Sequence, residues 1–247
     1  MQRLDNALVE RGLCASRERA QRAIMAGQVR VNQQAARKAS DAVRPGDEIV
    51  LLEREKYVSR GGHKLEHALD HFRMEVGNLT ALDIGASTGG FTDCLLQRGA
   101  AKVYAVDVGH GQLAWGLRQD QRVVTMENTN ARYLQPSSFP LGFQPPDLAV
   151  VDCSFISLRK LLPAIIALVK PTAKVVALVK PQFEAGKAEA DKGAGVITDP
   201  GIHERVLNEL KEFVTGLTNV RWQGVVESPL LGPAGNKEFL VLLEKSS

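Results

Sequence analysis

Ala81-Leu82-Asp83-Ile84-Gly85-Ala86-Ser87-Thr88-Gly89-Gly90-Phe91-Thr92-Asp93 reads as a short apolar strand that breaks into a Gly-rich turn and then starts a helix. Strand, tight turn and helix N-terminus in that order aim backbone N–H groups at a ligand, and the glycines let the chain approach it closely. Two nucleotide-binding patterns fail on this stretch. A dinucleotide fingerprint needs Gly at the second position of G-x-G-x-x-G, where Ser87 stands between Gly85 and Gly90. A Walker A frame laid on Gly85, Gly90 and Thr92 puts Phe91 at the phosphate-binding Lys position. An adenosine-type site without a pyrophosphate requirement survives, with a site for another nucleotide or a purely structural turn as the alternative.

Working outward, Lys102-Val-Tyr-Ala-Val-Asp107 reads as the next buried parallel strand. Asp107 lies 24 positions after Asp83, close to the roughly 20-residue offset at which a carboxylate meets ribose hydroxyls. Asp83 with its turn resembles the S-adenosylmethionine (SAM) loop of Rossmann-like methyltransferases. The resemblance implies cofactor contacts from Asp83, Gly85, Ser87, Gly89, Gly90 and Asp107. It adds Asn130 of Asn130-Ala131-Arg132, which follows the third strand, where related sites contact adenine.

The surrounding chain alternates as a doubly wound sheet does. The pattern predicts a helix over about Gly62–Phe72. It predicts strands at Thr80–Ile84, Val103–Val106, Val123–Met126, Leu148–Val151, Val175–Val179, Val220–Ser228 and Glu238–Leu243. The last two are joined by Pro229 to Lys237, short enough for a hairpin. Asp152 and Lys180 each follow an apolar strand directly, at the carboxyl edge where ligands of open α/β sheets bind. The bland alternative is a structural ion pair or a solvated strand end. Ala185 to Pro200, with three glycines, is expected to be a mobile loop beside the acceptor site or a long surface connection.

The first 52 residues follow another pattern. Leu4, Leu8 and Leu13 fit an amphipathic helix, and Ser16 can cap a second one running to Met25. Val29, Val31, Val43, Ile49 and Leu51 then supply short strands, with Pro45-Gly46-Asp47 as a turn. Residues 1–60 carry 12 Lys/Arg against 8 Asp/Glu, whereas the rest carries 19 against 20. Between Arg11 and Arg44, eight basic residues face only Glu18 and Asp41, and seven of the eight are Arg, whose planar fork suits phosphate. The alternative is a solvated helix face.

This segment resembles the S-four-type RNA-binding domain. The match runs through Arg3-Leu4-Asp5, Leu8-Val9-x-Arg11-Gly12-Leu13, Ser16-Arg17-x-x-Ala20, Ile24-x-x-Gly27-x-Val29-x-Val31-Asn32 and Val43-x-Pro45-Gly46-Asp47. It implies RNA contacts from Arg3, Arg11, Ser16, Arg17, Arg19, Arg22, Arg30 and Lys38. Gln33 follows Asn32 where such modules often have Asn-Gly, which predicts a differently shaped turn. Glu53 to Val58 reads as a linker, dividing the chain into residues 1–56 and 57–247.

Composition sets limits on class. With 247 residues and 44 % apolar content, the chain can bury one sizeable core and carry a small appendage. No apolar run approaches the roughly 18 residues of a membrane span, and Met-Gln-Arg-Leu-Asp lacks a signal-peptide core, so a cytoplasmic protein is expected. Cys14, Cys94 and Cys153 form no C-x-x-C, which argues against a disulfide framework or a zinc site.

The body resembles FtsJ-type RNA ribose 2′-O-methyltransferases, whose functional set is Lys-Asp-Lys-Glu in chain order. Lys64 in Ser59-Arg60-Gly61-Gly62-His63-Lys64-Leu65, Asp152, Lys180 in Val179-Lys180-Pro181, and Glu238 in Asn236-Lys237-Glu238-Phe239 occupy those positions. With the N-terminal module attached, nearly the whole chain resembles the TlyA (hemolysin-A-like) group of ribosomal-RNA 2′-O-methyltransferases. The resemblance implies an α/β, Rossmann-like SAM-dependent fold. Its mostly parallel seven-stranded sheet would end in an antiparallel hairpin and be preceded by the small α+β module. It also implies ribosomal RNA or ribosomal subunits as partner, and no metal. A ribose hydroxyl is a poor nucleophile at neutral pH, so a base must take its proton. Lys180 is the expected base, helped by the nearby cation Lys64, with Asp152 and Glu238 orienting the amines.

Two competing signals are weaker. His63-Lys-Leu-Glu66-His67 matches the H-x-x-E-H zinc pattern, but no third ligand is picked out and the loop at Gly85 would go unexplained. Asp152-Cys153-Ser154-Phe155 stands where amine methyltransferases carry [DN]-P-P-[YF], and both prolines are missing. The reading from another class is a non-catalytic RNA-binding protein or a membrane-active hemolysin. SAM binding would separate the two.

Overall fold

The computed structural model describes residues 1–52, 56–186, 189, 191 and 193–246. The chain divides into two compact units, Met1–Lys56 and Tyr57–Ser247. The segment read as a linker lies partly outside the described residues, at 53–55. So does the predicted mobile loop, at 187, 188, 190 and 192.

In the first unit, β1 (Gln2–Arg3) leads into α1 (Leu4–Glu10), followed by α2 (Arg17–Met25). Ser16 caps α2, its hydroxyl accepting the Arg19 N–H at 3.2 Å. β2 (Val29–Val31) pairs antiparallel with β3 (Gln34–Ala35) and β5 (Ile49–Leu51), and β1 pairs with β4 (Ala42–Val43). Leu4, Leu8, Ile24, Val29 and Val43 form the core. Two expectations need correction. Leu13 is not helical: α1 ends at Glu10, Gly12 turns the chain at φ +71°, and Leu13 packs on the core from the turn. The Asn32-Gln33 turn also keeps the hairpin form, because both residues take positive φ (49° and 66°) as a type I′ turn requires. Asn32 is held there by Asp47 Oδ1 at 3.0 Å and by the Glu48 N–H at 2.9 Å.

The second unit contains a seven-stranded sheet of β6 (Thr80–Ile84), β7 (Lys102–Val106), β8 (Val123–Met126), β9 (Leu148–Val151), β10 (Lys174–Val179), β11 (Val220–Glu227) and β12 (Phe239–Lys245). Its order is β11-β12-β10-β9-β6-β7-β8. The five strands from β6 to β10 are parallel, and β12 runs antiparallel between β10 and β11. Both faces are covered, so the central strands are apolar throughout. Leu82, Ile84, Tyr104 and Val106 pack toward α6 (Leu162–Leu168) and α8 (Pro200–Thr215) on one face. Ala81, Val103, Val150 and Val176 pack toward α3 (Gly61–His71) and α4 (Gly90–Gln97) on the other. Two short helices, α5 (Trp115–Arg118) and α7 (Pro181–Glu184), complete the layers. Strand order reverses between β6 and β9, which opens a crevice at their carboxyl ends. Among the described residues, no helix is long and apolar enough to cross a membrane.

Candidate active site

The Gly-rich turn begins where β6 ends. Gly85 has φ +81°, and a Cβ there would stand 2.4 Å from the Asp152 carbonyl oxygen, so only glycine lets β6 and β9 close together at the crevice. Gly89 (φ +98°) leaves room instead for Leu113 and Leu117, and Gly90 for Ser59 and the start of α3. These two glycines therefore serve packing of the turn, and only Gly90 reaches a cavity wall. Ser87 is itself left-handed (φ 49°), and its N–H donates to Asp107 Oδ2 at 2.8 Å. Asp107 Oδ1 accepts the Gly109 N–H at 2.6 Å, so one carboxylate at the end of β7 shapes two turns.

Asp83 lies deeper than the sequence suggested. It is wholly buried and lines neither cavity of the crevice. The Thr92 hydroxyl donates to its Oδ2 at 2.6 Å, and Oδ1 has no hydrogen-bond partner among the described residues. Burial, with the charge of Asp152 adding, pushes its carboxyl up to about 7.

Two ion pairs flank the turn. Lys180, the first residue after β10, places Nζ 2.6 Å from Asp152 Oδ1 and donates to Ser154 Oγ at 2.9 Å. Lys64 on α3 pairs with Glu238, the residue before β12, and both are buried. All four charged residues line one cavity of about 290 Å³, together with Ser59, Arg60 and the turn residues Gly85 to Thr88. A second cavity of about 480 Å³ is lined by Gly85, Ser87, Asp107, Gln112, Asn130 and Phe155 among others. The two share Gly85, Ser87, Asp152 and Ser154. Two cavities, one of them lined by four paired charges, therefore meet at a single glycine turn.

Comparison with known proteins agrees with this fold. The model of the FtsJ-like methyltransferases matches residues 57–245, and that of the S4 domain matches residues 2–49. The chain belongs to the FtsJ-like methyltransferase family. Over 245 residues it is 46 % identical to the 16S/23S rRNA (cytidine-2′-O)-methyltransferase TlyA of Mycobacterium tuberculosis, covering 98 % of this chain and 89 % of that one. It is 42 % identical to Hemolysin A of Brachyspira hyodysenteriae, covering 96 % and 98 %. A solved Streptococcus thermophilus chain, provisionally named a hemolysin, is 45 % identical with a TM-score of 0.74, covering 100 % of this chain and 89 % of that one. The chain thus falls in the TlyA group.

In this FtsJ-like methyltransferase, Asn130 lines the larger cavity while its Oδ1 accepts the Arg132 N–H at 3.0 Å. Cys153 is half-buried on the same wall, and burial pushes its thiol up to about 12, which keeps it protonated and a poor nucleophile. Of the H-x-x-E-H residues, His63 stacks edge-on with Tyr57 at 5.1 Å, and Glu66 binds Arg98 at 3.3 Å. His63 and His67 are half-buried, not on an exposed face. No group of three or more metal-ligating side chains comes together among the described residues.

The S4 residues divide into two sets. Arg3 and Arg17 reach the buried Asp5 at 3.0 and 2.9 Å. Hydrogen bonding by Arg3, with help from Gln21 and Arg17, holds this carboxyl well below the usual carboxylate range. Arg11 donates to the carbonyls of Asp47, Arg44 and Pro45. These three arginines tie the module together. Arg19, Arg22, Arg30 and Lys38 are exposed, and Arg19 and Arg22 border an open groove of about 710 Å³.

Sequence reasoning did not pick out Gln112, and it set Ser154 and Phe155 aside with the [DN]-P-P-[YF] pattern. Phe155 is 91 % exposed with φ +65° at the rim of the larger cavity. Its position carried a signal, since an aromatic shortly after a strand-end Asp at this edge sits where acceptors bind. The absence of the two prolines hid it.

Proposed function

We propose that this methyltransferase transfers a methyl group from SAM to a ribose 2′-hydroxyl of ribosomal RNA, with Lys180 as general base. The observation that carries the reading is the convergence of Lys64, Asp152, Lys180 and Glu238 on one cavity that shares its floor with the cavity at Gly85. The name of the M. tuberculosis relative supports the acceptor class.

The residues present fit SAM. The larger cavity falls within the roughly 300–1,000 Å³ usual for small-molecule sites. It offers the Asp107 carboxylate and the Asn130 amide along one wall and leaves no Cβ at Gly85. When bound, SAM supplies an activated methyl on a cationic sulfur.

The remaining steps belong to the protein. Lys180 Nζ accepts the proton of the ribose hydroxyl as the oxygen attacks. Asp152, 2.6 Å away, holds the amine and balances the charge it gains. Lys64, compensated by Glu238, keeps a fixed cation and donor on the same cavity wall. The exposed Arg19, Arg22, Arg30 and Lys38 supply phosphate contacts that hold structured RNA, while Arg3, Arg11, Ser16 and Arg17 keep the module in shape. A ribosomal RNA substrate puts the protein in the cytoplasm. A non-catalytic RNA-binding or membrane-active protein would have no use for two ion pairs gathered at a glycine turn.

The test is methylation of ribosomal subunits with isotope-labelled SAM, followed by nuclease digestion and mass spectrometry of the nucleosides. Label on ribose is expected. Label found only on bases would overturn the proposal.

A further inference from the structure

Lys180 Nζ has two partners, and both come from the segment that follows the neighbouring parallel strand β9: an ion pair with Asp152 at 2.6 Å and a hydrogen bond donated to the Ser154 hydroxyl at 2.9 Å. The ion pair follows from the topology, because β9 and β10 end side by side. The serine does not. Ser154 is exposed, yet it is one of four residues that line both the acceptor cavity and the larger cavity. The next residue, Phe155, turns the chain with a left-handed backbone (φ +65°), and its ring lies 5.1 Å from that of Phe183. Ser154 thus sits on a turn where the two cavities meet, which in the proposed function is where methyl donor and acceptor come together.

The geometry of an amine gives this contact a consequence. An ammonium has three N–H donors, and a neutral amine has two and a lone pair. With one N–H held by Ser154 and the amine drawn to the charge of Asp152, rotation about the Cε–Nζ bond is restricted, and the exchangeable proton or, in the basic form, the lone pair keeps one direction. With Asp152 alone, the amine can turn about the Cε–Nζ bond and point its lone pair away from the ribose oxygen. We propose that Ser154 is a positioning residue for methyl transfer: its hydroxyl takes one N–H of Lys180 and, with Asp152, aims the lysine lone pair at the acceptor oxygen. The inference rests on Lys180 acting as the base.

The experiment compares Ser154→Ala, Ser154→Thr and Lys180→Arg in the full-length protein. Single-turnover methylation of ribosomal subunits at saturating SAM is read across pH, with SAM affinity from calorimetry. Ser154→Ala should lower the single-turnover rate by about 10- to 100-fold, the scale on which misplacing a reacting group acts. SAM affinity and the KM for subunits should stay within about twofold, since the side chain removed is a single hydroxyl on an exposed residue. Ser154→Thr keeps the hydroxyl and should stay within about threefold of wild type. A Ser154→Ala rate near wild type, with Lys180→Arg inactive, overturns the positioning role and leaves the base assignment standing. A parallel loss of SAM affinity in Ser154→Ala would make Ser154 a cofactor contact and overturns it as well, as does a Ser154→Thr rate as low as that of Ser154→Ala. An active Lys180→Arg overturns the base assignment itself.

Discussion

Lys64 and Glu238 stand 174 positions apart in the chain and meet as an ion pair with both side chains almost entirely removed from water. Removing one partner leaves a buried charge uncompensated, which costs about 3–5 kcal/mol. Glu238→Gln and Lys64→Met should each lower the stability of the body by that order, read as a shift in urea midpoint. The double variant Lys64→Met, Glu238→Leu should regain most of the loss, since an apolar pair can replace a buried ion pair, yet it should not methylate RNA. Recovery of activity together with stability would reduce the pair to a structural device.

The Gly85 turn offers a steric test. Gly85→Ala puts a methyl 2.4 Å from the Asp152 carbonyl oxygen at a φ that L-residues avoid, so the floor shared by the two cavities must shift. Strain of this kind is worth roughly 1–3 kcal/mol, and calorimetry should show SAM affinity reduced accordingly. Asp107→Ala should weaken binding in the same range, because it frees the Ser87 and Gly109 N–H groups that the carboxylate now fixes. Unchanged affinity in both variants would remove the cofactor from this turn.

Asp83 predicts a pH effect with a definite sign. Its carboxyl holds a proton more tightly in the folded protein, where burial raises it to about 7, than in the unfolded chain at 3.8. Its stabilising contribution is complete below about pH 4 and is lost as pH rises toward 7, at no more than about 1.4 kcal/mol per pH unit. Asp83→Asn cannot titrate. Its stability relative to wild type should therefore rise between pH 4 and 7 and level off above. Parallel stability curves across that window would contradict the buried, protonatable state.

Much of the molecule was legible in its sequence. The apolar run before Gly85 and those ending at Asp107, Asp152 and Lys180 marked strands and their carboxyl edge, because a fully buried strand has no other composition available. Ser16 marked a helix start through its capping chemistry. Contacts made across the fold were not legible. Nothing local to Arg17 announces that it serves Asp5, twelve positions earlier, and nothing local to Gly89 announces Leu117. Leu13 misled because its spacing suits a helix, while the preceding Gly12 ends one. Asp83 was read as a cofactor contact from the resemblance of its strand and turn, but it is wholly buried and the Thr92 hydroxyl on α4 donates to its carboxylate.

The arginines of the S4 domain divide into two testable classes. Arg19→Glu with Arg22→Glu should leave the melting temperature unchanged, weaken RNA binding and flatten its salt dependence by about 0.7–0.9 in slope for each phosphate no longer neutralised. Arg17→Glu should instead destabilise the module, since it sets a carboxylate against the buried Asp5. Equal effects of the two changes on melting and on salt slope would erase the distinction.

The most direct test is single-turnover methylation of ribosomal subunits by Lys180→Arg. The substitution keeps the positive charge beside Asp152 but replaces an amine that can lose its proton with a guanidinium that cannot. The rate should fall by at least about 100-fold, the lower end for loss of a general base, while SAM and RNA still bind. A near-normal rate would contradict the assignment of Lys180 as the base and leave orientation of the hydroxyl by the remaining residues as the source of catalysis.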